Sequence, residues 1–283
     1  MKKPVLSLSY AIVAVILLMA ILSPLIASAD PNFVDPFNRN LAPLASVNTA
    51  FLEDKSARLA VFGTDGLGRD ILSRMVYGAR TSILIGCSVT VVAVLLGTLI
   101  GLICGSFRSA DGVIMRVMDG LMAIPAILLA IAFMTAIGSG VWTVILAITV
   151  VEVPRVVRLV RSVVLSVRQE PYIEAAVSLG VPTGRLLARH ILPNAVGPLT
   201  VLATFILSAA ILLEATLSFL GLGMPQDVPT WGNTIAEGRT LFQIHPHNIW
   251  IPAAFLSLTV LSVNVIGDGL RDKLDPKNAS RAR

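Results

Sequence analysis

The sequence predicts an all-α membrane protein with six transmembrane helices. Of its 283 residues, 55% are hydrophobic and only 14% are charged, whereas soluble domains carry about a quarter charged residues. The charges are also unevenly distributed, because long apolar stretches alternate with short polar segments. This pattern is typical of membrane spans joined by loops and disfavours a water-soluble globular core.

Six stretches approach the length of about 20 mainly apolar residues that a helix needs to cross a bilayer. They cover residues 7–29, 81–107, 113–137, 141–160, 196–220 and 249–267. The third stretch begins with Arg116 and Asp119, which can pair because residues three apart share one face of a helix. Pro24, Pro125 and Pro154 predict kinks, and the carbonyl groups freed there need partners on neighbouring helices.

Basic residues near the span ends predict the orientation, because cytoplasmic loops carry an excess of Lys and Arg. With six spans, the basic residues of one side are Lys2, Lys3, Arg108, Arg155, Arg158, Arg161, Arg168, Arg185, Arg189, Arg271, Lys273, Lys277, Arg281 and Arg283. On the other side, a similar number of Asp and Glu residues dilutes the basic residues. We therefore expect both termini, Glu174 and Arg283 on the cytosolic side. Lys55 and Glu237 are expected on the external side.

Residues 1–30 allow a second interpretation. A basic start, an apolar run and Ala-Ser-Ala before Asp30 resemble a secretory signal. The apolar run is longer than the about 7–15 residues usual in such signals, so we expect the first span to be retained. The predicted organisation is an N-terminal span and external segment, residues 1–62, followed by a transmembrane domain, residues 63–283.

The net charge of +5 does not indicate a nucleic-acid partner, because the basic residues flank apolar spans and membrane topology explains them. Cys87 and Cys104 lie in one predicted span, about 25 Å apart along the helix. A disulfide allows at most about 7 Å between Cα atoms. We therefore expect both cysteines to be small buried apolar side chains.

The predicted cytosolic loop, about residues 161–195, contains the polar segment EAAVSLGVPTGRLLARHILPN at residues 174–194. This loop is too long for a simple connection between spans. Its pattern predicts a short helix that begins at Pro171 and stops at Gly180, followed by a second short helix that Pro193 ends.

The residues of the first short helix are compatible with two roles. Ala175, Ala176 and Gly180 leave room for the surface of another protein, and Glu174 offers a carboxylate to a basic partner. Alternatively, the segment is an amphipathic hairpin that lies on the lipid surface. The residue pattern by itself leaves both interpretations open.

The same segment resembles the EAA motif of ABC-importer permeases, which reads Glu-Ala-Ala, three residues, Gly, about ten residues and Leu-Pro. The matching residues are Glu174, Ala175, Ala176, Gly180, Leu192 and Pro193. Residues 189–194, Arg-His-Ile-Leu-Pro-Asn, are similar to the peptide-permease branch of that family. Residues 63–82, 219–239 and 263–276 resemble further segments of the "C"-type subunit of dipeptide and oligopeptide permeases, in the expected order.

This resemblance implies the transmembrane domain of a type I ABC importer for dipeptides or oligopeptides, with the Glu174–Gly180 helix coupled to an ATPase. It implies a paralogous permease subunit, two cytosolic ATP-binding subunits and an external solute-binding protein as partners. ATP and Mg would be bound by those partners, so we expect no cofactor and no catalytic residue in this chain. Relatives of this subunit type carry other solutes, such as nickel chelates or glutathione, and these remain alternatives.

Two further motifs are weaker. Gly63-Thr-Asp-Gly-Leu-Gly-Arg has the glycines of a phosphate loop but lacks its Lys-Ser/Thr pair, and Thr64 or Asp65 is expected to cap a short helix instead. His245 and His247 are only two potential ligands, whereas a closed metal site normally takes four. We therefore expect no metal site.

Glu152 lies near the middle of the fourth predicted span, where ionisable residues usually face a cavity or a partner. It can pair with Arg155 or line a pathway. Glu214 is expected nearer the outer surface of the membrane, where its cost is lower. A stand-alone secondary transporter would need buried ionisable groups or internal repeats, and Glu152 is the only candidate, so this alternative is disfavoured, as is a membrane protease.

Overall fold

The computed structural model describes residues 3–27, 29–48 and 59–274, so that Lys55 and Arg283 lie outside the described residues. This part of the chain is mostly helical, with one small antiparallel ladder between β1 (Ala45–Ser46) and β2 (Leu59–Ala60). The helices are α1 (Lys3–Ile21), α2 (Ser23–Ile26), α3 (Ile71–Ser106), α4 (Arg108–Ala123), α5 (Ala126–Ile137), α6 (Val141–Val167), α7 (Pro171–Ser178), α8 (Thr183–Leu186), α9 (Leu192–Phe219), α10 (Trp231–Gly238) and α11 (His247–Leu274). A π turn, Leu187–Ile191, joins α8 to α9.

Within the described ranges, four helical segments are long and apolar enough to cross a membrane: α1, α3, the continuous α8–α9 segment and α11. The kink predicted at Pro125 in the third span is confirmed, and it is a complete break, because α4 and α5 are bent by 94° relative to each other. Ile124 is extended there, with ψ 130, as the residue before a proline favours. α6 is 27 residues long but carries Glu152, Arg155 and Arg158, so the count of six spans stays a prediction.

α3 begins well before the predicted second span and extends it towards the N-terminus. The expectation that Thr64 or Asp65 caps a separate short helix is wrong. Asp70 is the N-cap of α3, and its carboxylate accepts a hydrogen bond from the Ser73 N–H at 2.9 Å. Asp65 instead accepts backbone hydrogen bonds within the turn that precedes the helix.

A stripe of glycines on α3 faces a stripe of valines on α6 and forms the centre of the bundle. The facing pairs are Gly97 with Val156, Gly101 with Val160 and Gly105 with Val164. The spacing of four residues keeps each stripe on one face of its helix. A Cβ atom added to Gly101 would lie 2.7 Å from the Val160 Cβ, so these glycines allow the two backbones to approach closely.

α9 packs against α3, α6 and α11 and connects the two ends of the bundle. At its C-terminal end, α10 covers α3 and α9. There Trp231 is fully buried, and its Nε1–H donates to the Met75 carbonyl at 3.1 Å. α7 and α8 lead into the opposite end of α9, about 42 Å away along a helix of 28 residues.

Candidate functional site

The segment between α6 and α9 contains the short helix and the sharp stop that the sequence predicts. Pro171 is the first residue of α7, where a missing N–H costs nothing. Gly180 follows the helix with φ 77. The N–H groups of Gly180 and Val181 donate to the carbonyls of Val177 and Ala176, which is a Schellman ending. Other residues rarely adopt this positive φ, so a side chain at position 180 would be strained.

α7 buries one large side chain and exposes several others. Ile173 is 1% exposed and packs in the main core. In contrast, Tyr172, Val177 and Leu179 are exposed by 48%, 57% and 84%. Other exposed positions around these three are Glu174, Ala175 and Gly180, whereas Ala176 is half-buried. α7 and Leu179, the residue that follows it, therefore expose three large apolar side chains that are available for contact with another protein or with lipid. We call Tyr172, Val177 and Leu179 the outer surface of α7.

Pro193 does not end a helix, contrary to the expectation from the sequence. α8 continues through the π turn into α9, and the Leu192 N–H donates to the carbonyl of Leu187, five residues earlier. A proline in a regular helix clashes with the carbonyl four residues before it. The wider π turn relieves that conflict, so the chain passes Pro193 without stopping.

Aromatic and polar contacts hold α7 against this π turn. The rings of Tyr172 and His190 lie with their centroids 6.4 Å apart. Asn194 Nδ2 donates to the His190 carbonyl at 2.6 Å and reaches the Tyr172 hydroxyl at 3.5 Å. Ile173 packs in the same core cluster as the buried Leu186 and Ile191. α7 is therefore fixed to the start of α9 rather than being a loose loop.

Ion pairs join α6 to α4 at the same end of the bundle. Arg161 Nη2 lies 2.7 Å from Asp111 Oδ2, and Arg158 Nη2 lies 2.7 Å from Asp119 Oδ1. The sequence suggested that Asp119 pairs with Arg116, three residues before it on α4. In the structure Asp119 pairs with Arg158 of α6 instead. Arg168 donates to the last two carbonyls of α3 at 3.1 Å. These contacts connect α3, α4 and α6 immediately before the chain enters α7.

Two glutamates lie inside the bundle. Glu152 is 2% exposed, and its two carboxylate oxygens accept from Arg155 Nη1 at 3.2 and 3.1 Å. Glu214 is fully buried within the protein, although the sequence suggested a less costly position near the outer membrane surface. Its Oε1 accepts from the Ser218 hydroxyl at 2.8 Å.

A cluster of charged side chains at the α10 end was missed by the sequence analysis. Arg69 Nε lies 2.7 Å from Asp65 Oδ2, and Arg69 also pairs with Glu237. Arg74 is fully buried, with Nη2 3.2 Å from Glu237 Oε2. Burial raises the pKa of Glu237, while Arg74 and Arg69 oppose this effect. The four-residue spacing of Asp65 and Arg69 could have indicated one of these pairs.

His245 and His247 have ring centroids 5.9 Å apart. Among the residues that the structure describes, no group of three or more His, Cys, Asp or Glu side chains could hold a metal ion. Both cysteines lie on α3 as free thiols, and Cys87 is exposed while Cys104 is buried. The expectation that both are buried is therefore wrong for Cys87.

Comparison with solved structures supports the fold class. The chain matches one described as inward facing conformations of the MetNI methionine ABC transporter, with a TM-score of 0.51. The match covers 69% of this chain and 94% of that chain at 20% sequence identity, so the similarity concerns the fold. The architecture is that of the transmembrane domain of a type I ABC importer.

A family model places the chain more narrowly. The model described as binding-protein-dependent transport system inner membrane component matches residues 97–280, well over half of the sequence. The chain belongs to this family and is a multi-pass membrane protein.

Curated relatives cover nearly the whole chain. A probable peptide ABC transporter permease protein of Sinorhizobium fredii is 46% identical over 99% of this chain and 91% of its own length. A dipeptide transport system permease protein of Alkalihalophilus pseudofirmus is 41% identical over 95% and 84%. An oligopeptide transport system permease protein of Bacillus subtilis is 38% identical over 94% and 83%.

Proposed function

We propose that this permease imports dipeptides or oligopeptides and that α7 is its contact with a cytosolic ATPase subunit. The outer surface of α7 is the observation that carries the contact, because a fixed helix presents it and its three side chains are 48%, 57% and 84% exposed. The names of the relatives, which are peptide, dipeptide and oligopeptide permeases, support the cargo.

The EAA residues have two different tasks in this proposal. Glu174, Ala175, Ala176 and Gly180 form or border the contact with the ATPase. Leu192 and Pro193 directly follow the π turn as the first residues of α9 and keep α7 aligned with α9. The first group therefore binds the partner, and the second group positions the helix.

The assembly that this proposal requires has four other components. They are a paralogous permease subunit, two cytosolic ATP-binding subunits and an external solute-binding protein. ATP and Mg are bound by the ATP-binding subunits, so this chain performs no bond chemistry and needs no cofactor of its own. Both of its termini lie in the cytosol of the cell whose inner membrane it crosses.

Movement of the ATPase subunits reaches the bundle through α7. The contacts of Tyr172 and Ile173 with the π turn pass a displacement of α7 to α9. The ion pairs between α6 and α4 make these two helices move together. A switch between inward- and outward-facing states is then a bias on a two-state equilibrium. Glu152 and Arg155 act as a structural ion pair within this moving unit.

Two other functions compete with peptide import. The same fold could carry a nickel chelate or glutathione, and a stand-alone secondary transporter would work without an ATPase. The exposed outer surface of α7 favours an ATPase-coupled importer over the second alternative, because a stand-alone protein has no use for it.

A purified complex in nanodiscs tests both the contact and the cargo. Gly180→Leu strains the helix ending and Glu174→Lys reverses a charge at the contact, so each should lower ATPase recovery or substrate-stimulated hydrolysis about tenfold, equivalent to about 1.4 kcal/mol. Gly112→Leu is the matched control, since a Cβ atom added at position 112 on α4 would meet no atom of another described element within 4 Å. Stimulation is measured with the binding protein loaded with dipeptide, tripeptide, nickel chelate or glutathione.

The outcomes separate the two parts of the proposal. Wild-type recovery and hydrolysis in both variants would refute the contact at α7 and favour a hairpin lying on lipid, where an added Leu is neutral or helpful. Stimulation by a nickel chelate or glutathione, and not by peptides, would refute the cargo while leaving the contact in place.

A further inference from the structure

A large groove lies between α6, α9 and α11 at the α7 end of the bundle, and the proposed function does not use it. Its volume is about 770 Å³, within the range of about 300–1,000 Å³ typical of small-molecule sites. Most of its wall is apolar, and Leu202, Phe205 and Leu274 are among the residues that line it. On α9 alone it extends from Gly197 to Phe205, about 12 Å along the helix axis.

Three arginines line the same groove, namely Arg155, Arg158 and Arg271, and none of the described residues that line it is acidic. The first two make ion pairs with residues outside the groove, yet their side chains remain 49% and 51% exposed. Arg271 makes no ion pair within the part of the chain that the structure describes. The groove therefore combines apolar walls with an excess of positive charge.

The position of the charges fits the boundary of a bilayer. Arg158 lies about 14 Å from the end of α6 at Val167, and Arg271 is in the last turn of α11. Basic pockets between transmembrane helices on the cytoplasmic side bind the headgroups of anionic lipids. The apolar wall of α9 continues from this level towards the membrane interior, which is the direction of an acyl chain.

We propose that this groove binds an anionic phospholipid from the leaflet on the α7 side. Arg158 and Arg271 hold its phosphate, and an acyl chain lies along Leu202 and Phe205. An amphipathic anion satisfies both the charge and the apolar walls. A helix of another subunit would satisfy the walls but leave the arginines without anionic partners unless it brought its own carboxylates. This proposal does not depend on the peptide cargo.

The test compares phosphatidylglycerol with phosphatidylcholine by native mass spectrometry of the full-length protein, purified with the subunits that accompany it. Wild-type protein should prefer phosphatidylglycerol. Arg271→Gln should weaken phosphatidylglycerol binding about fivefold, since one basic residue near a membrane surface contributes about 1 kcal/mol. Lys273→Gln is the matched control, because it removes the same charge from the same turn of α11 but does not line the groove.

A second variant provides a gain of binding. Asp119→Asn removes the carboxylate that neutralises Arg158, and the pair is half-exposed, so the fold should tolerate the change while phosphatidylglycerol binds more tightly. Equal loss in Arg271→Gln and Lys273→Gln, or loss in neither, would overturn the proposal. Loss of a co-purifying subunit in Arg271→Gln, with lipid binding unchanged, would show that protein fills the groove and would also overturn it.

Discussion

Glu152 and Arg155 differ in their surroundings although they form one ion pair. The Glu152 side chain is 3% exposed and the Arg155 side chain is 49% exposed. The carboxylate therefore depends on the arginine for compensation of its charge, while the arginine can also reach the groove that it lines. This asymmetry favours a structural role for the pair, which an experiment can distinguish from a role in cargo selection.

Glu152→Gln should lower the amount of assembled complex, because Arg155 loses its partner and the buried side chain loses its two charge-assisted hydrogen bonds with it. Breaking a fully buried pair costs about 3–5 kcal/mol, and we expect about 1–2 kcal/mol here since Arg155 is half-exposed. The measurement is the yield of assembled complex together with uptake of several peptides. Neutralising both residues should restore assembly if the pair is structural. Normal assembly with altered cargo preference would instead assign Glu152 to the pathway.

At the residue scale, the sequence indicates local features well and distant partners poorly. The stop at Gly180 is visible because glycine and the following proline are local signals. The pairing of Asp119 was assigned wrongly, because Arg158 lies on another helix and meets it only after α4 folds against α6. The ion pair between Arg74 and Glu237 was missed for the same reason, because these residues are far apart in the chain and meet only in the folded protein.

At the scale of elements, the glycine stripe of α3 determines how close α6 can approach. Gly101→Ala should weaken the α3–α6 contact by about 1–3 kcal/mol, the usual cost of overpacking a tight core. The added Cβ would meet Val160 Cβ at 2.7 Å and the Val157 carbonyl oxygen at 2.9 Å, so the helices must separate. Thermal unfolding of the purified complex measures the effect.

Gly120→Ala is the control for that experiment. A Cβ atom added at position 120 on α4 would meet no atom of another described element within 4 Å, and alanine has a higher helix propensity than glycine. This variant should therefore be neutral or slightly stabilising. A melting temperature of Gly101→Ala equal to that of the control would contradict close packing of α3 on α6.

Hydropathy predicts the positions of the long helices because a lipid-exposed helix needs a continuous apolar surface, and α1, α3, α9 and α11 overlap the predicted spans. The break before Pro125 and the π turn before Pro193 depend on backbone geometry, which a hydropathy pattern does not describe. Pro125 breaks its span completely, whereas Pro193 is accommodated by a π turn. The two prolines have the same chemistry, and the conformation of the residues before each one decides the result.

For the whole molecule, the predicted orientation places α7 in the cytosol and α10 outside. Single cysteines at positions 174 and 243, each in a background with Cys87→Ala and Cys104→Ala, test it with a membrane-impermeant reagent on intact cells. Gln243 is exposed and lies in the segment predicted to be external, and replacing it leaves the ion pairs of Glu237 intact. We expect labelling at position 243 and none at position 174 until the membrane is opened. Labelling of position 174 in intact cells would contradict the orientation.

The matched stripes on α3 and α6 also limit how the molecule can deform. Each valine of α6 sits against one glycine of α3, and the next equivalent seat along the helix is four residues, about 6 Å, away. A smaller slide would press each valine against a residue of α3 that is larger than glycine. The two helices therefore move together. If α7 receives the push that the proposed function requires, α3 and α6 would be displaced together as one rigid unit, and the 94° break before Pro125 would be the place for a hinge.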